Sequence, residues 1–475
     1  MAPCPTLFNI FINDIPNIFD DNCNPARVGN MKINCMMYAD DLIVISESHK
    51  GLQESMNKLE KYCEQWGITV NVSKTKYMIS NSKYLANQKY ELHFNDVIID
   101  QVKSTKYLGI EFSYDGKMQI AKSDLYKRGL KAYFKLMRSL KPYPTPKISI
   151  NLFDHLVKPI ILYGCEIWSP FNLDYKLMKQ PLNKKATFIH DIRVQMPFIT
   201  KYMETINDIE KLHLKFCKTV LGVHSKTSNL AVYSELGRYP LIIDQMISCL
   251  KYLDYIENDS KNEFLKEFVN NLMLDDKMRN NCTLFKFRQQ IGKFLNIRLN
   301  IYSKGQWKII RTSLNSHFDR YWNTMVFNDT YDNNKKGGNK LRTYRIIKTN
   351  IAYESYLNMR KFEKRKYITQ FRVSAHKLKI ETGRYNSNNA YINPEDRLCM
   401  QCSLNTKEDE FHFLLECEKY KCIRKELFLK CQNDNELFNS YNNQCKFIWL
   451  LTTENLKTQN HLGDYFINAF NMRKE

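Results

Sequence analysis

Two apolar runs that meet at a pair of adjacent aspartates constrain this chain more than any other feature. The stretch is Ile33-Asn34-Cys35-Met36-Met37-Tyr38-Ala39-Asp40-Asp41-Leu42-Ile43-Val44-Ile45-Ser46. Strand-like runs around a polar tip predict a tight β-hairpin with Asp40 and Asp41 at or near its turn. Neighbouring carboxylates repel each other and are costly to bury unpaired. A divalent cation resolves that conflict, and magnesium commonly combines one or two carboxylates with substrate phosphates. Two such ions, about 3.5–4 Å apart, activate an attacking hydroxyl and steady a leaving pyrophosphate in an in-line displacement. For an Asp-Asp pair taken alone, the plain alternative is an exposed acidic turn.

The surroundings of the hairpin read as a mixture of helix and strand. Apolar residues at Leu7, Phe8, Phe11, Ile12 and Ile15 recur at helical spacing until Pro16. From Gly51 to Trp66, one helical face carries Leu52, Met56, Leu59, Cys63 and Trp66. Strands are expected at Ile68–Val72, Tyr77–Ser80, Val97–Ile99 and Tyr107–Phe112. After Gly116 helical patterns dominate, broken at 141–146 by three prolines and again at the polar, glycine-containing run 328–340.

The formal charge of +21 over 475 residues favours a polyanionic partner, nucleic acid ahead of an anionic membrane surface. The charge is dense in Arg342–Lys377, where Arg360, Lys361, Lys364, Arg365, Lys366, Arg372 and Lys377 alternate with Tyr344, Tyr353, Tyr356, Phe362, Tyr367 and Phe371. That mixture suits a groove that follows a phosphate backbone and offers rings for stacking; a solvated helix face is the alternative. No apolar run approaches the roughly 20 residues of a membrane span, and the N-terminus lacks a signal-peptide core. With 14 cysteines spread along the chain, an intracellular, reduced protein of nucleus or cytoplasm is expected.

Four of the metal-type residues fall at C-x2-C-x9-H-x4-C spacing: Cys399, Cys402, His412 and Cys417. Three thiolates and an imidazole make a closed tetrahedral set for structural zinc, and ordinary core cysteines with a surface histidine are the alternative. Cys422 lies close enough in sequence to compete with Cys417 as fourth ligand.

Tyr38-Ala39-Asp40-Asp41 resembles the catalytic hairpin of reverse transcriptases. Pro5-Thr6-Leu7-Phe8-Asn9-Ile10-Phe11-Ile12-Asn13-Asp14 resembles the palm helix before it in LINE-type (non-long-terminal-repeat) retrotransposon polymerases. Trp66 to Lys76 is similar to the next palm motif, in which the resemblance gives Lys74 a part in protonating the leaving pyrophosphate. Tyr107-Leu108-Gly109-Ile110 resembles the strand that grips the primer end. Phe371 to Cys417, with Tyr420 and Arg424, resembles the zinc-binding region at the C-terminus of many such polymerases, where aromatic and basic residues contact nucleic acid. The resemblance to group II intron maturases is weaker, because their tails carry a His-rich nuclease motif.

The resemblance implies an α+β fold: a partial right-hand polymerase palm lacking its fingers (1–115), then a mostly α-helical thumb (116–240) and helical connector (241–340). The basic nucleic-acid-binding segment (341–390), CCHC zinc module (391–430) and helical tail (431–475) complete it. It also implies RNA-directed DNA synthesis on an RNA template from a DNA primer or target with dNTPs, using Mg2+ at Asp40 and Asp41. The family's first metal-binding Asp lies upstream of the palm helix, so the chain is expected to be N-terminally truncated and catalytically incomplete alone. Asp14, Asp20 and Asp21 are read as helix-end and turn acids. The alternative is a non-catalytic RNA- or DNA-binding remnant of such an element.

Overall fold

The computed structural model describes residues 4–80, 90–140, 144–169, 203, 206–274, 282–295, 304–329 and 339–473. Much of the expected thumb between 170 and 205, most of the break at 328–340 and the start of the break at 141–146 lie outside them. Two compact units emerge. One takes the described residues within 1–125, 164–173 and 246–307, and the other those within 126–163, 174–245 and 308–475. Helices and small sheets occur together, an α+β composition. Among the described residues no helix is long and apolar enough to cross a membrane.

In the first unit, helix α1 (Cys4–Phe11) leads to paired strands β1 (Ala26–Val28) and β2 (Met31–Ile33), then β3 (Cys35–Tyr38) and β4 (Asp41–Val44). The helix expected to run to Ile15 closes at Phe11, and Ile15–Ile18 forms a 3-10 turn with Pro16 in its first positions. Helix α2 (His49–Trp66) starts where the Ser48 hydroxyl accepts the Gly51 N–H (3.1 Å) and stops at Gly67, whose φ of +64° favours glycine. Its buried Met56, Leu59, Tyr62 and Cys63 join Ile12, Ile15, Phe19 and Phe94 in one core. Cys35, Met37, Leu42 and Val44 pack on that core from the hairpin. Met36 and Tyr38 point the other way, as alternation along a strand requires.

Three of the expected strands take other forms. Of Tyr77–Ser80 only Tyr77 is paired, in the two-residue strand Lys76–Tyr77. Ile68–Val72 is coil leading into a turn in which Thr75 N–H donates to the Asn71 carbonyl (3.1 Å). Tyr107–Phe112 is not one strand but the turn of a hairpin, β5 (Ser104–Tyr107) with β6 (Ile110–Ser113), in register Tyr107↔Ile110. Leu108 (φ +45°) and Gly109 (φ +82°) form its two-residue loop. Positive φ at both central positions is what a right-twisted hairpin turn demands.

The second unit is helical. Helix α3 (Gln119–Ser139) supplies its C-terminal half, followed by α4 (Pro146–Leu156), α5 (Asp208–Leu221), α6 (Asn229–Glu235) and α7 (Gln306–Phe327). Asn207 caps α5 by accepting the Glu210 N–H (2.9 Å), and Phe153 stacks on Phe216 with ring centroids 4.2 Å apart. Buried Trp322 donates its indole N–H to Ser234 Oγ and the Leu230 carbonyl, both at 3.1 Å. Helix α8 (Phe362–Arg372) packs along α9 (Leu456–Met472), and Gly463 makes the close approach possible: a Cβ there would lie 2.7 Å from Lys364 Cβ.

Candidate catalytic hairpin and Cys3His cluster

Ala39 and Asp40 form the two-residue turn between β3 and β4, and Asp41 opens β4 opposite Tyr38. Ala39 has φ +51°, a conformation that costs an L-residue about 1–2 kcal/mol and that the first position of a two-residue hairpin turn requires. Paired residues of antiparallel strands share a face, so Asp41 lies on the outer face with Tyr38, which is 64% exposed. Asp40 is exposed beside it. The base of the hairpin is fixed by Ile45 N–H to the Asn34 carbonyl (2.6 Å) and by the Ser46 hydroxyl to the Cys23 carbonyl (2.8 Å). Tyr107, on β5, stands near enough to Asp41 that burial and then that carboxylate's charge push its phenol up. Tyr107 thus lies within electrostatic reach of Asp41.

Lys74 stands exposed on its turn, its amide donating to Asn71 Oδ1 (3.2 Å). Among the described residues it makes no ion pair with either aspartate. The other acids have partners of their own. Tyr62 donates to Asp14, Asp20 pairs with Lys58 (2.6 Å), and Asp21 pairs with Lys32 (2.5 Å). Lys58 and Lys32 hold the carboxyls of Asp20 and Asp21 below their usual range. Among the described residues, no third metal-type side chain gathers around Asp40 and Asp41.

Cys399, Cys402, His412 and Cys417 converge, with all four ligand atoms within 4.8 Å of one another. Cys402 Sγ lies 3.5 Å from His412 Nε2, and Cys399 Sγ lies 4.0 Å from Cys417 Sγ. His412 Nδ1 contacts the Thr406 hydroxyl at 3.1 Å, the kind of outer partner that fixes a metal-bound imidazole. Burial pushes the Cys399 thiol up to about 12 and raises that of Cys417, so thiolates here require a cation beside them. The donor set, spacing and outer hydrogen bond all fit a tetrahedral metal ion. Cys422 is exposed and is not part of the group.

The basic segment divides in two. Arg360, Lys361 and Lys377 are exposed and Lys366 half-buried, whereas Lys364, Arg365 and Arg372 are drawn into the interior. Lys364 pairs with Asp464 (2.8 Å), Arg365 donates to the Arg360 and Pro144 carbonyls (2.9 Å each), and Arg372 lies between Glu235 (3.0 Å) and Glu354 (2.9 Å). A guanidinium saturated by buried carboxylates holds the framework together and is closed to phosphate. Tyr344, Tyr356 and Phe371 are likewise buried, which leaves Tyr353, Phe362 and Tyr367 as the partly accessible rings.

Sequence reasoning missed a second basic surface. Lys127, Lys131, Phe134, Lys135 and Arg138 are all exposed along one stripe of α3, and Lys215 of α5 lies 4.7 Å from the Phe134 ring centroid. The signal was the spacing of four, three, one and three residues, which keeps these side chains on one helical face. At 1.5 Å per residue the stripe runs about 17 Å, long enough to follow several phosphates.

In sequence, an exposed Asp-Asp hairpin precedes a helical, basic unit with a Cys3His cluster. Residues 1–112 match the reverse transcriptase (RNA-dependent DNA polymerase) family. It is 28% identical over 176 residues to a probable RNA-directed DNA polymerase from transposon BS of Drosophila melanogaster, covering 34% of this chain and 18% of that protein. The RNA-directed DNA polymerase from mobile element jockey of the same fly is 22% identical over 177 residues, covering 34% and 18%. A putative transposon-derived protein of Caenorhabditis elegans is 23% identical over 146 residues, covering 30% and 51%. The chain therefore matches about a fifth of the length of the two fly polymerases and half of the worm protein.

Proposed function

We propose that this chain is the nucleic-acid-holding and partly catalytic portion of an RNA-directed DNA polymerase from a non-long-terminal-repeat element. The observation that carries this reading is the exposed Asp40–Asp41 pair on a strained two-residue turn beside Tyr107. Bound there with substrate phosphates, magnesium would lower the barrier to nucleotidyl transfer by neutralising charge on the attacking and leaving oxygens. Asp40 and Asp41 would supply carboxylate ligands from the hairpin. Tyr107, Leu108 and Gly109 would shape the seat of the primer end, and exposed Lys74 would help to protonate the leaving pyrophosphate. The Cys3His set would hold one structural zinc. RNA template and DNA primer would lie on the exposed basic residues of α3 and α8.

Two carboxylates alone make an incomplete two-metal site, which favours nucleic-acid binding as the activity of the chain by itself. Primer extension on an RNA template with magnesium, beside the double variant Asp40→Asn/Asp41→Asn, tests both parts. The expected result is salt-sensitive RNA binding in both proteins and extension in neither. Extension abolished by the double variant would place a third carboxylate within this chain and overturn the incomplete-site reading. Extension that survives the variant, or absence of RNA binding, would remove the hairpin or the polymerase reading itself.

The α3 stripe makes a separate prediction. Lys131→Ala/Lys135→Ala should lower the slope of log affinity against log salt for single-stranded RNA by about 1.4, or roughly 0.7 for each phosphate no longer neutralised. An unchanged slope measured by fluorescence anisotropy would take the stripe out of the interface.

A further inference from the structure

Between the second and third members of the Cys3His set, the loop Ser403–Phe411 carries two carboxylates that face inward. Glu408 and Glu410 are each 1% exposed. Neither meets the other. Glu408 Oε2 accepts the Lys379 N–H (2.7 Å) and Arg473 Nη2 (2.8 Å), and a second Arg473 nitrogen bonds Oε1. Arg473 follows immediately on the end of α9. Glu410 accepts Arg342 Nε (2.9 Å) and Nη2 (2.6 Å), the Ser374 hydroxyl (3.0 Å) and His376 Nε2 (2.8 Å). Ser374 and His376 form the turn that ends α8, and Ser374 sits at φ +52°, a conformation its hydroxyl bond to Glu410 helps to hold.

One loop therefore secures the C-terminal ends of both helices of the α8–α9 pair; α8 carries Lys366, and Arg360 and Lys361 lie just before its N-terminus. The loop is bounded by Cys402 and His412, two of the four metal-type ligands. Glu408 also reaches back to the cluster, with Cys399 Sγ 3.8 Å from its Oε1. Buried charges of this kind must stay in place, because displacing the loop carboxylates takes Glu408 from Arg473 and leaves Arg342 with Glu381 alone.

We infer that Glu408 and Glu410 are positioning residues that couple metal occupancy of the Cys3His set to the order of α8 and, through it, to nucleic-acid affinity. The inference rests on the zinc reading above and adds to it a regulatory consequence: metal loss would be transmitted to a basic helix that contains none of the ligands. In the metal-loaded state the loop holds both carboxylates against their arginines. Without metal the loop is released, and the turn after α8 loses its acceptor.

The experiment uses the full chain with zinc content, hydrogen–deuterium exchange and RNA anisotropy measured on the same samples. Chelation should speed exchange at 362–376 and 456–473 about tenfold and weaken RNA binding about tenfold, corresponding to about 1.4 kcal/mol each. Glu410→Gln should keep its zinc yet speed exchange at 362–376 and weaken RNA binding. Glu426→Gln, on an exposed carboxylate that pairs with Lys430 away from the loop, should do neither. Zinc that leaves without any change in exchange at 362–376 overturns the coupling while leaving the zinc site standing. A chain that binds no zinc overturns the zinc reading, and the metal assay alone identifies that outcome. A Glu410→Gln protein with wild-type exchange and affinity overturns the role of Glu410.

Discussion

Cys402→Ser is expected to strip the chain of one zinc equivalent and to collapse the fold of residues 397–420, whereas Cys422→Ser leaves both unchanged. The contrast follows from burial and geometry. Cys402 lies 3.5 Å from His412 within a set whose ligand atoms are all within 4.8 Å, and Cys422 is exposed outside it. The buried thiols resist ionisation, so metal binding must displace their protons and gains strength as pH rises. In small peptides the apparent binding energy of such a site is about 10–16 kcal/mol and drives folding outright. Here Phe413, Leu414 and Tyr420 are buried beside the ligands and provide apolar stabilisation of their own, so loss of metal should cost less than that range. Near-UV circular dichroism and a thiol-displacement zinc assay would follow the two effects together. Equal zinc in the Cys402→Ser and parent proteins would sink the assignment, and loss of zinc in Cys422→Ser would move the fourth ligand.

How far the sequence could be read depended on whether the deciding contacts were local. The hairpin at Asp40–Asp41 was legible because alternation places Cys35, Met37, Leu42 and Val44 on one face whatever surrounds them. Helix α2 was legible because its apolar period ends at a glycine that can take positive φ. The Cys3His spacing was legible because a metal set in so short a segment needs no distant partner. Tyr107–Phe112 misled because Gly109 marked a turn while Leu108 entered the left-handed region against its own preference. The basic segment misled for a different reason. Arg372 and Lys366 are alike in sequence, and only the fold reveals that Arg372 meets Glu235, 137 residues away, while Lys366 stays at the surface. The α3 stripe was visible as spacing but had no motif to draw attention to it.

Glu235→Ala is expected to be among the most destabilising single substitutions in the helical unit. Arg372 is 1% exposed and lies in a dense shell: Glu235 on one side, Glu354 on another, and the Leu451 carbonyl accepting a third hydrogen bond. Tyr356 donates to Glu235 and lies with its ring 5.3 Å from the guanidinium, and Lys348 pairs with Glu354. Burial disfavours the charged guanidinium, but the two glutamates outweigh it and hold Arg372 firmly protonated. Removing Glu235 leaves a buried cation short of a partner and the Tyr356 hydroxyl with Thr369 alone, a loss of about 3–5 kcal/mol for a broken buried pair. Replacing both members by apolar groups of similar volume, as in Glu235→Leu/Arg372→Met, should cost less than the two single changes added together, because no unpaired charge remains. The remaining Glu354 keeps Lys348 as its counter-ion, so the double variant still has a neutral interior at this point. Urea unfolding of the four proteins in the cycle would measure the coupling. Additive losses would mean that Glu235 and Arg372 act independently, and that the network tying α6 to α8 is packing alone. A coupling of several kcal/mol would show that the charge of this basic segment is in large part structural, with nucleic acid left to the exposed residues around it.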